Sequence, residues 1–350
     1  MKKISVIFLN FVYLISGLLV LEVFFGGWLS SNSLGQLNIL KNVEYHFNTS
    51  HLYRGKFPET LYQRDRFGLR GHYEDPDHID ILTVGGSATD QRYLTEGTTW
   101  QDVIEKRFLS DEKKVKIANA GVDGQSSYGH LKNFELWFPK IPHLKPRYVL
   151  LYLGVNDLLT QTSNDDLAGD QTWKGRIRSK SALFHLYELV KGNYLSLFHY
   201  PLGHQSVNFS HLHWTSHPLQ NNHEGLLAHR LEAHEKNLSQ LNKKIRALGA
   251  IPIYVTQPSF LYRHINSVVE GAETVFFYEG LPINGIDFYN MLSLINERTL
   301  QVCHDVHGIC LNLAGEVSFE ETDFYDYFHN TPEGAQKIGE YLYKKLKDVL

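Results

Sequence analysis

"TVGGSATDQ", residues 83–91, closes an apolar run and opens a helix-like stretch. A strand that ends in Gly-Gly-Ser and feeds a helix either cradles a phosphate or presents a nucleophile. Phosphate loops read G-x-G-x-x-G or G-x-x-x-x-G-K-[ST], and "GGSATD" fits neither; no lysine follows to meet a phosphate. Thr89 also rules out the G-x-S-x-G elbow. The glycines let the chain turn sharply at the strand end, so the joint presents Ser87.

Working outward, short apolar runs alternate with helical patterns. "IDILTVGGS" (79–87) reads as a buried strand, and "TTWQDVIEKRFL" (98–109) places Trp100, Val103, Ile104 and Phe108 on one helical face. "VKIANAGV" (115–122) is a second strand, "YGHLKNFELWF" (128–138) a helix, and "RYVLLYLG" (147–154) a strand apolar enough to be covered on both faces. A polar, His-rich stretch at 159–225 interrupts the alternation, with one helix-like piece, "SALFHLYELV" (181–190). It is too long for an ordinary connection and reads as an insertion over the top of the sheet. The alternation resumes with a helix at 226–248 stopped by Gly249, a strand "IPIYVTQP" (251–258), a helix at 286–302 and a strand "ICLNLAG" (309–315). The last helix, 331–350, has Thr331 as N-cap and Pro332 at its first position. Five strands alternating with helices predict an α/β fold, a doubly wound three-layer α/β/α domain with a parallel sheet. The expected organisation is a leading apolar segment at 1–29, a linker and N-terminal extension at 30–77, and one domain over 78–350 carrying the insertion.

Ligands of such sheets bind at the carboxyl ends of the strands. There the chain places Ser87, then Gly121 in "NAG", then Asn156 and Asp157 in "GVND", and, before the last helix, Asp326 and His329 in "DFYDYFHN". A serine hydroxyl needs a base, which His329 supplies, and Asp326 three residues earlier orients the imidazole, with Asp323 as its nearest rival. The backbone N–H of Ser87, the backbone N–H of Gly121 and the Asn156 amide are the candidate oxyanion donors. Asp157 reads as a structural cap.

Ser87, Gly121, Asn156 and His329 fall in order at the four block positions of the SGNH (GDSL-like) hydrolase superfamily, which this chain resembles over about residues 65–350 outside the insertion. "LGVNDL" and "DYFHNTPEGAQKIG" are the nearest blocks, and "DRFGLRG" (65–71) followed by "ILTVGGSATDQRY" resembles the membrane-anchored bacterial members often found near surface-polysaccharide genes. The resemblance implies a flavodoxin-like sheet and serine acyl chemistry with no cofactor and no metal. Family members include esterases, lipases, carbohydrate deacetylases and some O-acetyltransferases. One departure is Gly86, where the family's first block carries Asp. The expectation is an esterase acting on an acylated, chiefly acetylated, carbohydrate or another ester. The alternatives are an O-acetyltransferase using the same residues, and a non-catalytic glycan-binding protein of the same fold.

The formal net charge of −4 and the lack of a long basic block exclude generic nucleic-acid binding. Lys2 and Lys3 precede "ISVIFLNFVYLISGLLVLEVFF" (4–25), long enough for a transmembrane helix with its N-terminus inside. The expected location is the inner membrane, single-pass, with the catalytic domain periplasmic or extracellular; a cleaved signal peptide, giving a secreted protein, is the competitor. Glu22 is costly in lipid but lies near the outer end of this segment. Cys303 and Cys310 in "CHDVHGIC" read as a short-loop disulfide, as two buried thiols, or with the intervening histidines as a metal site. The insertion's His204, His211, His213, His217 and His223 read as a solvated loop or substrate-shaping lid, with a metal site as the sharper alternative.

Overall fold

The computed structural model describes residues 2–28, 37, 39–53, 59–160, 177, 180–184, 186–187, 190, 203–266 and 268–350. Much of the insertion (161–176, 191–202) and parts of the 30–77 stretch (30–36, 38, 54–58) lie outside the described residues. The chain divides into two compact units, residues 1–39 with 167–200, and residues 40–166 with 201–350.

The smaller unit contains α1 (Lys2–Phe25). Its stretch Phe8–Phe25 has a mean hydropathy of 2.1 and is long and apolar enough to cross a membrane. The larger unit opens with an antiparallel hairpin, β1 (Val43–Asn48) and β2 (Glu59–Arg64), within the region that composition reads as an extension. It continues with β3 (Ile81–Gly85), α2 (Ser87–Asp90), α3 (Trp100–Ser110), β4 (Ile117–Asn119), α4 (Ser127–Lys132), β5 (Tyr148–Tyr152) and α5 (Val155–Leu159). Within the insertion lies β6 (Trp214–Thr215), and α6 (His223–Ala247), which starts in its last residues, leads to β7 (Ile251–Val255). Two hairpins follow, β8 (Tyr262–Ile265) with β9 (Val268–Ala272) and β10 (Phe276–Tyr278) with β11 (Leu281–Ile283). The chain ends with α7 (Gly285–Asp305), β12 (Ile309–Leu311), α8 (Leu313–Glu316) and α9 (Pro332–Leu346).

The central sheet has five strands in the order β12-β7-β5-β3-β4, all parallel, with Ile81 level with both Ile117 and Tyr148. The α/β fold expected from the alternation is therefore present. Every residue of β3 and of β5 is buried, as their apolar runs require. On one face Ile81, Leu150, Tyr152 and Val255 pack under Trp100, Ile104 and Phe108 of α3 and Ile338 and Leu342 of α9. A second core joins Leu227 and Leu231 of α6 to Phe288, Met291, Leu292 and Ile295 of α7. β3 leads to β4 on one side, and the chain then crosses to β5 on the other. The crevice at the carboxyl ends of β3 and β5 is thus the topological switch point, where such sheets bind ligands.

Two local expectations are refined. The helix read over 128–138 is α-helical only to Lys132, then passes through a π turn at Asn133–Trp137 and a 3-10 turn at Phe138–Lys140, where Pro139 lacks the N–H needed to extend the ladder. The last helix is capped by Thr331, whose hydroxyl accepts from the Gly334 N–H, and runs to Leu346. Cys303 and Cys310 form a disulfide that ties α7 to β12.

Candidate active site

The joint after β3 is built by close approach. A Cβ on Gly85 would lie 2.3 Å from the Tyr152 carbonyl, and one on Gly86 would lie 2.2 Å from the Asn156 amide nitrogen. Only glycine admits both contacts. Ser87 then starts α2, which Gln91 ends in the left-handed region at φ 49°. The Ser87 backbone N–H makes no hydrogen bond among the described residues.

His329 reaches Ser87 from the loop before α9. Its Nε2 lies 2.7 Å from Ser87 Oγ, and its Nδ1 lies 2.7 Å from Asp326 Oδ2. Asp326 Oδ1 also accepts the backbone N–H groups of Phe328 and His329, each at 2.8 Å. Burial alone would raise the Asp326 pKa, but the hydrogen bond and charge of His329 and these two amides hold it below the usual carboxylate range. With the carboxylate on Nδ1–H, Nε2 is left to accept the serine proton. Asp323 is turned away to Lys337 (2.5 Å) and to the Glu320 N–H (2.7 Å). Ser87, Asp326 and His329, read from separate segments, are thus brought together.

Gly121 is placed differently from the sequence expectation. Its N–H donates to Asn119 Oδ1 at 2.8 Å and so is not free to meet an oxyanion. Its glycine is required instead because a Cβ would lie 2.3 Å from the Asp90 nitrogen. Three residues on, Gly124 is exposed, has φ +78°, and its N–H makes no hydrogen bond among the described residues. The Asn156 amide donates to the neighbouring Gln125 carbonyl at 2.8 Å, which holds this turn beside Gly86. One hydrogen of that amide is left over. The only signal in the sequence was a second glycine in the same turn, and the glycine nearest the strand end masked it.

Beneath the turn lies a buried charge network drawn from β2 and the loop after it. Arg64 donates to Asp90 Oδ1 (2.7 Å), Tyr62 Oη (2.5 Å), the Gly68 carbonyl (2.6 Å) and the Gly121 carbonyl. Arg70 donates to Glu96 and to the carbonyls of Asp90, Gln91 and Leu94. These two guanidiniums fix the backbone that carries Ser87. On the other flank, Asp157 accepts from Ser127 and lies 2.9 Å from His234 Nδ1 as an ion-pair contact, tying α5 to α4 and α6. Burial would raise its pKa, but His234 and Ser127 keep it ionised at lower pH than usual.

The insertion's histidines do not gather. His204 is separate from His223, which bonds Asp287 at 2.8 Å. His211, His213 and His217 are exposed or partly so. His204 lies in the site: its ring stacks on His329 with centroids 4.0 Å apart and planes 25° apart, and its Nδ1 meets Tyr325 Oη at 2.8 Å. Burial, then the charge of His329, pushes its pKa down to about 4, so it stays neutral beside the imidazolium. His204, Asp326 and His329 have ligand atoms within 4.8 Å of one another. Imidazole lone pairs lie in the ring plane, however, and two stacked planes give no shared point for one ion. His204 is therefore a wall on the face of His329, not a ligand partner.

A family model described as the GDSL-like Lipase/Acylhydrolase family matches residues 83–337. No curated protein matches the chain. Solved structures similar to it include TesA (15% identity, covering 77% of this chain and 99% of that one, TM-score 0.44). Others are the psychrotrophic esterase EstA from Pseudoalteromonas sp. (14%, 77% and 97%, 0.42) and a catalytic mutant of Axe2, an acetylxylan esterase from Geobacillus stearothermophilus (11%, 76% and 93%, 0.45). The chain belongs to the GDSL-like lipase/acylhydrolase family and is a hydrolase enzyme.

Proposed function

We propose that this acylhydrolase is a serine esterase that removes short acyl groups, chiefly acetyl, from a cell-surface or extracellular carbohydrate. The observation that carries the reading is the unbroken hydrogen-bonded chain Ser87–His329–Asp326, at 2.7 Å on each side of the imidazole. Ser87 Oγ attacks the ester carbonyl while His329 Nε2 takes its proton. The tetrahedral intermediate collapses as His329 returns that proton to the leaving alcohol. Water, deprotonated by His329, then cleaves the acyl-enzyme. The N–H groups of Ser87 and Gly124 and the free hydrogen of the Asn156 amide receive the oxyanion. Each is worth about 3 kcal/mol of barrier.

The cavity beside Ser87, walled by Tyr93, His204, Tyr325 and His329, has a volume of about 10 Å³, room for about one water. The carbohydrate assignment rests on the resemblance of "DRFGLRG" and the following block to membrane-anchored members near polysaccharide genes. Two lysines before an apolar α1, and a disulfide in the folded unit, support an N-terminus inside and a catalytic unit outside the cytoplasm.

The test is hydrolysis of p-nitrophenyl acetate by the full-length chain in detergent, beside Ser87→Ala and His329→Ala. Both substitutions should lower kcat by about 10³ or more. Turnover by either variant within about tenfold of the parent overturns the mechanism. Acetate release that requires an added sugar acceptor reassigns the chain to O-acetyl transfer by the same residues.

A further inference from the structure

Glu22 is the one acidic residue in the apolar stretch of α1, and a carboxylate there needs partners. The smaller unit supplies four donors. Trp28 Nε1 donates at 2.8 Å, Ser181 Oγ at 2.5 Å, the Ala182 N–H at 3.0 Å and the Leu183 N–H at 3.1 Å. Ser181 Oγ in turn accepts the Phe184 N–H at 3.1 Å, and the Gly27 N–H donates to the Lys180 carbonyl at 2.8 Å. The first helical N–H groups of the insertion's "SALFHLYELV" segment are thus satisfied by Glu22 and Ser181, not by water. A residue some 160 positions away caps this helix. The described residues of the helix beyond its cap, Leu186, Tyr187 and Val190, expose their side chains, as do Phe24 and Phe25 at the end of α1.

We propose that the helical residues Ala182–Phe184, Leu186, Tyr187 and Val190 belong to a second membrane element, lying in the outer lipid interface with Leu186, Tyr187 and Val190 against the acyl chains, and that Glu22 is the latch joining it to α1. The proposal rests on the reading of α1 as a retained membrane span. Apolar side chains on a helix whose capping partner sits at the end of a span meet the headgroup boundary, where an amphipathic helix is stable. A helix whose first N–H groups are bonded in this way presents none of them bare to lipid. The latch further requires that α1 stay attached, because cleavage after it removes the cap. The insertion then ties the chain to the membrane at a second place.

Reconstitution of the full-length chain in phosphatidylcholine–phosphatidylglycerol vesicles tests this. The only two cysteines are joined in the disulfide, so Leu186→Cys supplies a single free thiol for a bimane label. Lipids spin-labelled near the headgroup should quench that label about twofold or more beyond a Lys347→Cys label on the catalytic unit. Glu22→Ala should cut the Leu186 quenching by at least about half, while a Phe11→Cys label remains quenched by deeply spin-labelled lipid. A Leu186 label indistinguishable from Lys347, with Phe11 still quenched, overturns the interfacial helix. Quenching at 186 that Glu22→Ala leaves unchanged overturns the latch. Loss of quenching at Phe11 as well, or a mature chain lacking residue 11 by mass, overturns the membrane reading of α1 and the proposal with it.

Discussion

Asp326→Asn isolates the orienting carboxylate with almost no change in shape. Asp326 Oδ1 sits on two backbone N–H groups, of Phe328 and His329, and Oδ2 faces His329 Nδ1 at 2.7 Å. An asparagine keeps its carbonyl oxygen on those amides, because its NH2 group cannot accept from them. The NH2 group is then directed at Nδ1. Nδ1 becomes the acceptor, the ring proton moves to Nε2, and Nε2 confronts the Ser87 hydroxyl as a donor with no lone pair for its proton. The expected loss is about 10⁴ in kcat, the effect of this substitution in a Ser-His-Asp triad, or about 5.5 kcal/mol of barrier. The assay is kcat and KM for p-nitrophenyl acetate from pH 5 to 9, with thermal unfolding alongside. KM and Tm should stay near the parent values, since both backbone contacts survive. Asp323→Asn is the comparison: it weakens the Lys337 pair and lowers Tm while leaving kcat within about threefold. A loss below about tenfold in Asp326→Asn refutes the tautomer argument.

Arg64→Ala removes the nearest cation from Asp90, whose side chain is 1% exposed, and frees the Gly68 and Gly121 carbonyls. Tyr62 at 2.9 Å and Arg92 at 3.5 Å still attend the carboxylate, so the cost falls at the low end for a broken buried pair, about 3 kcal/mol, or about 5 °C in Tm. Burial would raise the Asp90 pKa, but Arg64 and Arg92 hold it down. The pair therefore adds stability that is complete above the unfolded pKa of about 4 and is lost as pH falls through the folded value. Melting curves should show a weaker acid dependence in the variant, and an unchanged Tm at pH 7 contradicts the network's role. Gly86→Ala sets a Cβ at 2.2 Å from the Asn156 amide nitrogen, which must move. Because that amide is one of the proposed oxyanion donors, kcat should fall about 10²-fold with Tm little changed. Full activity in this variant removes Asn156 from the mechanism.

What the chain discloses about itself depends on how local each feature is. β3 and β5 are legible because both faces are covered, so "ILTV" and "YVLLY" are unbroken apolar runs. Asp326 and His329 are legible because their bond spans three residues of one turn, and the spacing is the geometry. The hairpin β8–β9 buries no continuous face, so its residues carry no alternation to find. Arg64 and Arg70 lie in a stretch that composition reads as linker and extension, yet both are buried, because their partners Asp90 and Glu96 lie some 26 positions away. The same limit explains the glycines. Sequence order singles out Gly121 as the first glycine after the strand, and nothing in that order reveals that the Asn119 side chain consumes its N–H. His204 is the extreme case. It lies 125 residues from His329 in a polar stretch rich in histidine, where composition speaks only of a loop or a metal. Its meaning comes from a ring plane 25° from that of His329, a relation set by the Val207 N–H on the Tyr325 carbonyl (2.7 Å) and by Tyr325 Oη on His204 itself. Sequence patterns therefore locate the groups proposed to move protons, and tertiary contacts decide which neighbouring amides and rings are free to serve them.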